Sequence, residues 1–155
     1  MRLIQSPLES RMMDHPLTPR MIRDFMSEFR VRVFYMHDGT RRGGQLRDGK
    51  DFTVLVYTNY KDYCRAEAEV TFIHELIHQI YGGQNWSSLS AEKISTVSKD
   101  MGETWYSYEE RPIERESYAF RHRYGKFLSK LFDPAWKARR NKYAYEFKKK
   151  RKRKS

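Results

Sequence analysis

The sequence predicts an α+β domain: one amphipathic helix, a small twisted sheet, then further helices. Three observations predict it. Apolar residues recur at helical spacing over residues 19–29. Alternating and continuous β-rich apolar runs occupy the stretches "RVRVFYMH" and "FTVLVYTN". Helical periodicity returns near Tyr63 and continues into the later segments.

Taken in order, residues 1–17 read as an irregular arm with Pro7 and Pro16 as breakers. Thr18 caps the first helix and Pro19 sits at its first position. Met21, Ile22, Phe25, Met26 and Phe29 form its apolar face. In the first strand, Val31, Val33 and Tyr35 lie on one side, Arg30 and Arg32 on the other. "DGTRRGGQLRDGKD" reads as turns around a short strand. "FTVLVYTN" reads as a central or substrate-side strand. A helix is expected from about Tyr63 to Tyr81, stopped by Gly82 and Gly83. "SLSAEKISTVSKDMGE" suggests another, capped by Ser88 or Ser90. "RPIERESYAFRHRYGKFLSKLF" suggests a further helix, with Pro112 near its start and Asp133-Pro134 at its end. "AWKARRNKYAYEF" would be helical too. The expected organisation is an arm over 1–17, one folded domain over 18–145 and a disordered basic tail over 146–155.

The chain has 155 residues, enough for one modest core, and 15% of them are aromatic, which favours folding despite 33% charged residues. The net charge of +11 is unevenly spread. Eleven of the 31 Lys/Arg, but one of the 20 acids, lie from Lys137 onward. The remainder, with twenty basic and nineteen acidic residues, is nearly balanced. Seven consecutive Lys/Arg at 148–154 repel one another and point to nonspecific nucleic-acid binding or plain solubility. In a eukaryotic host they would also serve as a nuclear address. A single cysteine, Cys64, excludes an intrachain disulfide, and is expected to be a small buried hydrophobe. No run has signal-peptide or transmembrane character, so a cytoplasmic protein without membrane contact is expected.

The chemistry concentrates in "TFIHELIHQI". His74 and His78, four apart on a helix, present two imidazoles to one point. That spacing suits one Zn²⁺ per chain. Glu75 is rotated by about 100° and can act as general base on a water. Catalytic zinc usually takes a third protein ligand. His15, His37 and His122 are available, and so are Glu109, Glu110, Glu114 and Glu116. Tyr106, Tyr108, Tyr118 and His122 could stabilise an oxyanion, His122 lying two turns beyond Glu114.

"HELIH" followed by "RPIERESYAF" resembles the ImmA/IrrE-like group of glutamate-zincin metallopeptidases. Glu114, Glu116 and Phe120 match that group's second helix; Ser117 and Tyr118 depart from it. The resemblance implies a zincin-like fold, with the sheet packed on the "HELIH" helix. It implies Glu114 as third ligand, with Glu116 as the alternative, and Tyr118 in the place of the residue that orients His74. It also implies a protein or peptide substrate, paired in extended form with an edge strand. The expected activity is zinc-dependent peptide hydrolysis. The competing expectations are a nucleic-acid-binding protein acting through its tail, and an inactive zincin scaffold.

Overall fold

The computed structural model describes residues 7–36, 43–57, 64–81, 105–140 and 144–147. Its elements run α1 (Pro7–Asp14), α2 (Pro19–Glu28), β1 (Arg30–Met36), β2 (Gly43–Asp48), β3 (Asp51–Tyr57), α3 (Arg65–Ile80), α4 (Trp105–Arg123), α5 (Gly125–Ala138) and β4 (Ala144–Glu146). The class is α+β, with a mixed four-stranded sheet in the order β2-β3-β1-β4. β1 and β3 are parallel; β2 and β4 run antiparallel to their neighbours.

Local chemistry accounts for the first half. The Thr18 side chain accepts a hydrogen bond from the Met21 N–H, and α2 buries Ile22 and Phe25. The alternation in β1 buries Val31, Val33 and Tyr35. β2 and β3 join through a tight turn between the paired Asp48 and Asp51. Gly49 takes φ 58° there, a left-handed value that suits a residue without Cβ. Phe52, Val54 and Val56 share the inner sheet face. Phe72, Ile73, Leu76 and Ile77 of α3 complete the core with Ile113 and Phe120 of α4 and Leu128, Phe132 and Ala135 of α5.

Several expectations give way. Residues 7–14 of the supposed irregular arm are helical, and Met12 and Leu17 are buried against the core. Cys64 is exposed, as the N-cap of α3. α4 starts at Trp105, so Pro112 lies inside it, and the chain breaks at Tyr124 before α5. Pro134 falls inside α5 instead of ending it. An interior proline costs about 3 kcal/mol. Leu128, Phe132 and Ala135 fall on one face across that position, and burying Leu128 and Phe132 alone contributes about 1.5–3 kcal/mol each. The packing outweighs the lost hydrogen bond.

The last correction is β4. Residues 144–146 pair with β1 instead of forming helix. The Phe147 N–H donates to the Val31 carbonyl at 3.0 Å, and its ring stacks on Phe72 at 5.2 Å. The folded part therefore extends beyond residue 145. β3 lies between β2 and β1, so the edge strand on the α3 side is β2. The helix expected within "SLSAEKISTVSKDMGE", His37 and the run 148–154 lie outside the described residues. Among the described residues, no helix is long and apolar enough to cross a membrane.

Candidate metal centre

α3 turns its apolar side to the sheet and keeps a polar stripe. Phe72, Ile73, Leu76 and Ile77 are fully buried, while Glu75 and His78 are 8% exposed and the His74 side chain 12%. The His74 and His78 rings stand 5.3 Å apart, centroid to centroid, with planes at 53°. Both imidazoles therefore serve one side of the helix, as their spacing requires.

α4 runs antiparallel beside α3. Glu114 meets His74, while Tyr118 and Arg121, farther along α4, meet Glu67 and Glu69, nearer the start of α3. Ser117, small and fully buried, donates its hydroxyl back to the Ile113 carbonyl at 2.7 Å. A polar tie fixes the far end of the pair. Glu69 is 3% exposed, and its carboxylate accepts from Arg65 and Arg121, each at 3.2 Å. Arg65 also donates to Asp133 at 2.7 Å and to the Ser129 carbonyl at 2.8 Å, which adds α5. Hydrogen bonds from Lys137 and then Arg65 hold the Asp133 carboxyl below its ordinary pKa.

At the near end, His74 Nδ1 and Glu114 Oε2 are 2.9 Å apart. The two residues are forty apart in sequence. A carboxylate only accepts, so in this contact the proton sits on Nδ1. Glu116 points elsewhere and pairs with Arg123. Among the described residues, no three His, Cys, Asp or Glu side chains converge tightly enough to enclose a metal ion.

Tyr118 and His122 lie farther along α4 than Glu114. The Tyr118 hydroxyl lies 3.4 Å from each oxygen of Glu67. Glu67 precedes His74 by seven residues, about 10 Å along the helix. His122 is exposed and lies about 12 Å beyond Glu114 in the same direction. The antiparallel pairing carries both toward the N-terminal end of α3, away from His78. Glu114 makes a contact with His74 of the kind expected of Tyr118. The side chains of Tyr106, Tyr108, Glu109 and Glu110 lie outside the described residues.

No family model, curated protein or solved structure matches the chain.

Two residues beside the motif were missed in the sequence. Gly43 of β2 lies directly over α3. A Cβ there would collide with Thr71 Cγ2 and lie 3.6 Å from Glu75 Oε1. A glycine inside a strand signals such close backbone approach. Gln79, one turn after Glu75, donates to the Gln45 side chain of β2. β2 thus tracks Thr71, Glu75 and Gln79 along α3. Gly43→Ala should destabilise the protein. Reduced freedom of the unfolded chain would gain about 0.4–1 kcal/mol, but overpacking against a stiff β-branched residue costs about 1–3 kcal/mol. A lower denaturant midpoint is the expected reading.

The donor types fit zinc: two imidazoles from one helix and the Glu114 carboxylate from a second are among its ordinary ligands.

Proposed function

We propose that the chain is a zinc-dependent metallopeptidase of the zincin type, as the resemblance to the ImmA/IrrE-like group implies. The observation that supports it best is the His74–Glu114 contact, which delivers an acidic helix to the "HELIH" motif.

His74 and His78 hold the metal through ring nitrogens, and α4 supplies an acidic partner. Glu114 was the expected third ligand. Its contact with Nδ1 instead favours the role of a carboxylate that orients a ligating histidine.

Zinc, when bound, supplies Lewis acidity toward a water and a peptide carbonyl. Glu75, nearly buried under β2, accepts the proton of the attacking water. It then returns that proton to the departing amine. β2, whose outer edge has no strand beside it among the described residues, offers backbone pairing to an extended substrate.

The experiment is metal analysis of the purified chain. One equivalent of zinc is expected, and none in the His74→Ala/His78→Ala double variant. A double variant that still holds one equivalent sinks the site.

A further inference from the structure

The polar contacts between β2 and α3 form a chain with a direction. Arg47 Nη1 donates to Gln79 Oε1 at 3.1 Å. A guanidinium can only donate, so this contact fixes which end of the Gln79 amide is oxygen. Gln79 Nε2 then donates to Gln45 Oε1. That fixes Gln45 as well, with its NH₂ at the free end. Among the described residues Gln45 Nε2 meets no acceptor. Two N–H donors therefore end the chain, polarised by a cation at its start.

Their position matters. Gly43 is level with Glu75, and Gln45 lies two residues on along the same strand and on the same face. That is about 6.8 Å from the base's level. A peptide lying extended beside β2, with its cleaved bond near Glu75, places a side chain two residues away beside Gln45.

We infer that Gln45, held by Gln79 and Arg47, is a specificity-determining residue that selects a substrate with an acidic side chain two residues from the cleaved bond. The inference rests on the peptidase reading above. Hydrogen bonds from the amide to a carboxylate are charge-assisted on the acceptor side. A leucine at that position would leave the donors to water and add nothing.

The test is digestion of a peptide library, randomised on both sides of the cleaved bond, by zinc-loaded wild type, Gln45→Glu and Gln45→Met. Glutamate at 45 still accepts from Gln79 but ends the chain in an acceptor. Methionine removes the end group without adding charge. Wild type should favour Asp or Glu over Leu at one flanking position by about tenfold. Gln45→Glu should turn that preference toward Lys and Arg, and Gln45→Met should flatten it. The same flanking preference in all three proteins overturns the inference and leaves the peptidase reading standing. Absence of cleavage by zinc-loaded wild type overturns the peptidase reading, and this inference with it. Thermal unfolding of each variant confirms that folded proteins are compared, and either variant alone suffices for the decision.

Discussion

Glu75→Gln should retain its zinc and its unfolding temperature and lose hydrolysis. Glutamine matches glutamate in shape, so the nearly buried site beneath Gly43 accommodates it. It can still hydrogen-bond a water, but it cannot take the water's proton. Removal of a general base costs about 10²–10⁴ in rate. The loss should lie at the upper end, because the same carboxyl also returns the proton to the leaving amine. Turnover of a peptide found by library profiling is the measurement, with zinc determined on the same sample. Full turnover by the zinc-loaded variant would rule out Glu75 as the base. If neither protein cleaves any peptide, the inactive-scaffold alternative takes the peptidase's place.

A second large effect is expected on metal affinity, and it ranks two glutamates of one helix. Glu114→Ala should cost about 10–100-fold, the usual price of removing a carboxylate behind a ligating histidine. Glu116→Ala should leave affinity unchanged, since its partner is Arg123. Competition with a chromophoric chelator reads both. Should Glu114→Ala cost far more than about 100-fold, Glu114 is itself the ligand and releases His74 when metal enters.

The parts of the fold legible in the sequence were those decided by local chemistry. The Thr18 cap and the alternation in β1 each state their structure within a few residues. So does the pair of imidazoles on α3. The misread parts were decided by distant packing. Pro112 and Pro134 look like boundaries because a proline breaks an isolated helix. Here they lie inside helices whose buried faces, Ile113 with Phe120 and Phe132 with Ala135, are held by the sheet side of the domain. β4 is three residues long, too short for a pattern, and exists because β1 offers it an edge.

The site divides in the same way. His74, Glu75 and His78 declare themselves through spacing on one helix. The partner of His74 does not, because it depends on how two helices are docked. The tie of Glu69 to Arg65 and Arg121, with Asp133 on Arg65, sets that docking, and four charged residues in a basic sequence look like ordinary surface. Gly43 and Gln45 were hidden in a segment that reads as turns.

The strand order has a consequence for how the protein could be held. β4 closes the sheet on the side away from β2, three strand spacings or about 14 Å across. Phe147, fastened to Val31, is the last described residue before the lysine- and arginine-rich run 148–154. On the proposed reading, substrate pairing and any grip on that run fall to opposite margins of one sheet. A polyanion gripping residues 148–154 would leash the domain from behind and leave the β2 margin facing outward. The length of the leash, not the shape of the cleft, would then decide which neighbouring chains come within reach.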